Sequence, residues 1–150
     1  MRWLSLTIPA RSEPGDFAFE PPAGTAVSRR KTAPDFMELE EAAQATDMEP
    51  KLPAWLPPGF VFESVNALAY RGATILHYRY TDGLDVLSLF QAPRRTRLSF
   101  SAGAVGENVH IGSRRARLTL GPDGKFLEWD SGDRFVLLGA LDAKTLARIA

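Results

Sequence analysis

At "WLPPGF", residues 55–60, the spacing of apolar residues changes from about 3.6 to 2. Two prolines followed by a glycine cannot continue a helix, because proline lacks the amide that an interior turn needs. Upstream, "PDFMELEEAAQAT" places Phe36, Leu39 and Ala43 at helical spacing. Glu38, Glu40 and Glu41 fall near the start, where the helix dipole favours negative charge. Downstream, short alternating runs are separated by tight-turn signals.

These runs predict an α+β fold, an antiparallel β-sheet meander of about six or seven strands. A short helix precedes it and a C-terminal helix packs on it. "FVFESVNALAY" and "ATILHYRY" are the first two strands. The second sets Leu76, Tyr78 and Tyr80 on one face against Ile75, His77 and Arg79 on the other. "TDG" turns into "LDVLSLFQA", and "RTRLSFSA" reads as a further strand. "NVHI" forms a short strand in a Gly-rich loop. "RARLTL", "KFLEWD" and "RFVLLGA" follow, joined by the turns "GPDG" and "SGD". In "LDAKTLARIA", Asp142 suits a helix N-cap, and Ala143, Leu146, Ala147 and Ala150 make one stripe.

Three segments are expected. Residues 1–27 read as closing strands of something else: "RWLSLTI" alternates, "RSEPGD" turns, and Pro21 and Pro22 stop "FAFEPPAGTAV". Residues 28–34, "SRRKTAP", read as a linker, and 35–150 as the α+β domain. The opening "MRWLSLTIPARSEPGDF" lacks the apolar core and cleavage site of a signal peptide, so it reads as a strand.

Net charge is zero, and aromatics do not interleave with the basic residues, which argues against nucleic acid. No apolar run reaches the roughly 20 residues of a membrane span. With no cysteine, disulfides, thiolate zinc sites and thiol nucleophiles are excluded. His77 and His110 each lack ligand-spaced neighbours, and no G-x-S-x-G elbow is present. "GAVGEN" lacks the Lys-Ser/Thr of a phosphate loop. No catalytic, cofactor-binding or metal-ligating residue is therefore assigned.

Arginines cluster at Arg29/Arg30 beside Lys31, at Arg94/Arg95/Arg97 and at Arg114/Arg115/Arg117. The last two flank strands. They either guard a sheet edge against aggregation or attract an acidic partner. Trp55 and Phe60, with Leu56, either present a peptide-recognition patch or clamp the incoming chain onto the core. Arg94, Arg95, Arg97, Trp55 and Phe60 are the candidate partner-binding residues.

Several segments resemble MucB/RseB-type sigma-factor regulators of the bacterial envelope. "ELEEAAQATDMEPKLPAWLPPGFVFESV" is similar to the helix and Leu-Pro-x-Gly-Phe/Tyr approach of their C-terminal domain. "YRYTDGLDVLSLFQAP" resembles its hairpin, "LGALDAKTLARIA" its ending, and "FAFEPPAGTAV" the close of a LolA-like domain. The resemblance implies a non-enzymatic, periplasmic binding module that grips the periplasmic segment of a membrane anti-sigma factor. It implies lipid only where the LolA-like domain is complete. A truncated LolA-like lipoprotein- or lipid-handling protein is the second expectation, and a small hydrolase the third.

Overall fold

Turn residues decide where this chain reverses, and the computed structural model bears out the antiparallel architecture. It describes residues 21–26, 37–98, 106–122 and 124–150. Two units divide the chain, Met1–Thr32 and Ala33–Ala150. In the first, the Thr25 amide donates to the Pro22 carbonyl at 3.1 Å, with Gly24 at φ +84°. The readings for residues 1–20 and 28–34 lie outside the described residues.

In the second unit, α1 spans Leu39–Thr46. The Glu41 carboxylate accepts from the Glu38 amide at 3.1 Å and ties down its first turn. Seven strands follow: β1 (Val61–Tyr70), β2 (Ala73–Thr81), β3 (Val86–Ala92), β4 (Gly106–Ile111), β5 (Arg114–Gly121), β6 (Gly124–Ser131) and β7 (Asp133–Gly139). Helix α2, Ala143–Ile149, closes the unit. Asp142 caps α2 as expected, accepting from the Thr145 amide at 3.0 Å. Its buried stripe is Leu146 and Ile149, whereas Ala143 is exposed.

All six strand pairings are antiparallel, in the order β1-β2-β3-β7-β6-β5-β4. The sheet is thus two meanders, β1–β3 and β4–β7, joined where β3 meets β7. "NVHI" belongs to a six-residue strand, longer than the expected four. Thr96–Leu98, the described end of "RTRLSFSA", is irregular, and Leu98 is buried.

Alternation assigns the two faces. One carries Val65, Leu76, Tyr78, Leu87, Leu127, Leu137 and Trp129, and receives Ala42 of α1 and Leu146 and Ile149 of α2. The opposite face has its own smaller cluster of Ile75, Phe90, Phe126 and Val136, joined by Leu98. Antiparallel sheets commonly leave one face to solvent, but the centre of this face is apolar and buried.

The two edges are built differently. On β1, the pairing register shifts between Phe62 and Ser64, a bulge that interrupts the ladder. The Met37 amide also donates to the Val65 carbonyl at 3.1 Å, an isolated antiparallel bridge on the outer side of β1. On the far side of the sheet, β4 pairs with β5 alone among the described residues.

Candidate binding surface

Cross-strand register gathers the charged side chains of the second face beside β4. Arg117 lies opposite Asn108 of β4 and Glu128 of β6, and His110 lies opposite Arg115. Asp130 of β6 faces Arg134 of β7. Asn108, Arg115, Arg117, Glu128, Asp130 and Arg134, with Arg114, line an open basin of about 500 Å³.

Charge in this basin is unevenly paired. Arg134 makes a two-point contact with Asp130, at 2.9 and 3.1 Å, which consumes both charges. Burial raises the Glu128 carboxyl above its usual range, and Arg134 and Arg117 partly oppose this. Arg115 and Arg117 have no ion pair within 4.0 Å among the described residues. The basin therefore carries four guanidiniums, Arg114, Arg115, Arg117 and Arg134, against the two carboxylates of Glu128 and Asp130, with the surplus next to the open side of β4. This arrangement suits an extended acidic segment, whose backbone can extend the sheet while its carboxylates meet Arg115 and Arg117.

On the helix-covered face, a buried polar network fixes the segment leading to the prolines. Gln91 is fully buried. Its Oε1 accepts from the Tyr78 hydroxyl at 2.6 Å and the Lys51 amide at 3.0 Å. Its Nε2 donates to the Glu49 carbonyl and to Asp133 Oδ2, both at 2.8 Å. Lys51 Nζ closes the ring at 3.0 Å from Asp133. All four amide valences are used, as a buried Gln requires. Burial pushes the Tyr78 phenol well above its ordinary value, so it donates rather than ionises. The network is structural; its signal in the sequence is a Gln at an inward position of a strand.

The candidate residues divide into two groups. Phe60 lies in the core at 9% exposure, and half-buried Trp55 packs against the same cluster. The guanidinium carbon of Arg148 sits 3.8 Å from the centre of the Trp55 ring. Both aromatics thus hold the incoming chain. Arg94, Arg95 and Arg97 are exposed just beyond β3, with the Thr96 amide donating to the Pro93 carbonyl at 2.8 Å. They share one end of the sheet with Arg115. Three strand spacings separate β3 from β5, or about 14 Å. The clusters lie at the same end of the sheet without touching, and Arg115 and Arg117 stand nearer the open edge.

His77 stacks on Phe90 at 4.4 Å, and its Nε2 has no hydrogen-bond partner among the described residues. Burial, with Arg79 beside it, lowers its pKa to about 4, so the ring is neutral at pH 7. His110 is exposed on β4, a different strand. No group of three or more His, Asp or Glu that could hold a metal ion occurs among the described residues. No helix among them is long and apolar enough to cross a membrane.

No protein-family model matches this chain, and no curated protein is significantly similar to it.

Proposed function

We propose that this domain is a bacterial extracytoplasmic binding module that grips an extended, acidic stretch of a protein partner. The partner proposed is the periplasmic segment of a membrane anti-sigma factor, and the module regulates the cognate sigma factor by holding it. One observation carries the mode of binding. The β1 edge is bulged and bridged, whereas the β4 edge is open among the described residues and flanked by Arg115 and Arg117, neither in an ion pair within 4.0 Å. Main-chain hydrogen bonds along β4 would supply affinity, and the arginines would select acidic side chains.

The choice of partner is supported by the resemblance of "LPPGF", "YRYTDGLDVLSLF" and "LGALDAKTLARIA" to MucB/RseB-type regulators. Arg94, Arg95 and Arg97 would extend the positive field along the same end of the sheet. The test is fluorescence anisotropy with labelled extended peptides from the periplasmic segments of membrane anti-sigma factors. Arg115→Glu with Arg117→Glu should weaken binding by about tenfold or more at low salt. Reversing Arg94, Arg95 and Arg97 should weaken it less. Unchanged affinity in the Arg115/Arg117 variant rejects the reading.

A further inference from the structure

The β2–β3 turn holds a leucine in water. Leu84 is 95% exposed at the tip. The turn beneath it is heavily cross-bonded. Asp82 Oδ1 accepts from the amides of Leu84 at 2.9 Å and Asp85 at 2.7 Å. Thr81 Oγ1 accepts from the Gly83 amide at 3.0 Å and donates to the Asp85 carbonyl at 2.8 Å. Such a turn cannot readily fold Leu84 back onto the sheet. Val61, 60% exposed, and Val86, 42% exposed, are paired with Thr81 on its two sides and widen the apolar tip. The amides of Asp85 and Leu84 hold the Asp82 carboxyl below its ordinary value, so the tip is both apolar and anionic.

The complementary surface lies at the other end of the same sheet. A cavity of about 140 Å³ is lined by Leu89, Trp129, Phe135 and Ile149, with Lys51 and Arg114 at its margin. Trp129 and Phe135 stack at 5.3 Å to form an apolar wall. Lys51 is already paired with Asp133. Arg114 donates to the backbone oxygen of Ala150 at 3.2 Å and has no side-chain ion pair within 4.0 Å among the described residues. Apolar cavities of about 150 Å³ accept a benzene ring, so the four-carbon leucine side chain fits this one. The seven residues of β3 separate tip from cavity by about 20 Å.

We propose that copies of this chain associate head to tail. The Leu84 tip of one copy enters the Trp129/Phe135 cavity of the next, and Asp82 and Asp85 face Arg114. The two surfaces differ and lie at opposite ends, so the contact is heterologous and leaves a free tip and a free cavity at the ends of each assembly. One leucine and one charge cluster make a small interface, which places the dissociation constant at about 0.1–1 mM. Such a contact matters where copies are concentrated, as when several modules are held on neighbouring partners.

Sedimentation velocity on the full chain, up to about 1 mM, tests this. The wild type should form a concentration-dependent series extending past dimers, and raising salt should weaken it a few-fold. Leu84→Asp and Arg114→Glu are both changes at exposed positions, and each alone should stay at the mass of one chain. Leu84→Asp keeps an intact cavity and Arg114→Glu keeps an intact tip, so their mixture should form pairs and nothing larger. A wild type of single-chain mass at every concentration overturns the proposal. So does undiminished assembly of Leu84→Asp, or a mixture in which no pairs form.

Discussion

Arg148 of α2 covers the ring of Trp55, with 3.8 Å between guanidinium carbon and ring centre. This contact joins the last helix to the proline segment that opens the sheet. Trp55 and Leu56 pack against the main core from one side, and Leu146 and Ile149 are buried in it from α2. The stiff residues of "WLPPGF" therefore tie α2 to the segment that opens the sheet. The prolines also reduce the freedom that the unfolded chain loses there. Arg148→Ala should cost about 1 kcal/mol of stability through lost cation–π and stem packing. Trp55→Ala should cost about 3 kcal/mol, measured by urea unfolding. Equal losses in the two variants would show that the ring has little value apart from the arginine.

Gln91 is the polar residue whose replacement should be most costly. Gln91→Leu leaves the Tyr78 hydroxyl, the Lys51 amide and the Glu49 carbonyl without their partner. The expected loss is about 2–4 kcal/mol by urea unfolding. Tyr78→Phe with Gln91→Leu should lose less than the sum of the single changes, because the hydroxyl no longer needs a partner. Additive losses would mean that the two side chains do not share one network.

His77 sets an acid limb of stability. Its folded pKa, about 4, lies below the unfolded value of 6.5. Between these values the unfolded chain binds more protons, so stability falls as pH drops from 6.5 toward 4. Discounted for the water that reaches a half-buried ring, the loss is about 1–2 kcal/mol. His77→Phe preserves a ring against Phe90 and removes the titration. Its unfolding free energy should change less than that of the wild type from pH 7 to pH 4.5. Parallel pH profiles would contradict a neutral, desolvated His77.

Arg71 occupies a backbone position that suits asparagine or glycine. The two-residue turn between Tyr70 and Ala73 has φ +47° at Arg71 and +82° at Gly72. A non-glycine residue pays steric strain there, partly offset by the Arg71 guanidinium 5.5 Å from the Tyr70 ring centre. Arg71→Asn should raise stability by about 0.5 kcal/mol, read as a higher urea midpoint at unchanged slope. A lowered midpoint would assign the ring contact more weight than the strain.

Much of the fold was legible in the sequence because its signals are local. The turns "TDG", "GPDG" and "SGD" demand residues that tolerate positive φ or tight reversal, and each separates two paired strands. The cap at Asp142 is likewise local. The β3–β7 junction was not legible, since no turn or spacing marks which strands of two meanders meet. Alternation identified both faces of β2 but not that Ile75, Phe90 and Val136 would form a second core. Composition located the arginine clusters. Only register shows that Arg115 and Arg117 border an open edge whereas Phe60 is buried.

The central claim is that the open side of β4 receives the partner's backbone, and amide hydrogen exchange tests it most directly. Exchange of the Gly106–Ile111 amides should be followed with and without a saturating acidic peptide from the proposed anti-sigma segment. The account predicts slowed exchange at alternate outward-facing amides of β4, with little change along the bulged β1. Protection confined to β1 or to the Pro93–Leu98 segment, with β4 amides exchanging as in the free protein, would contradict it.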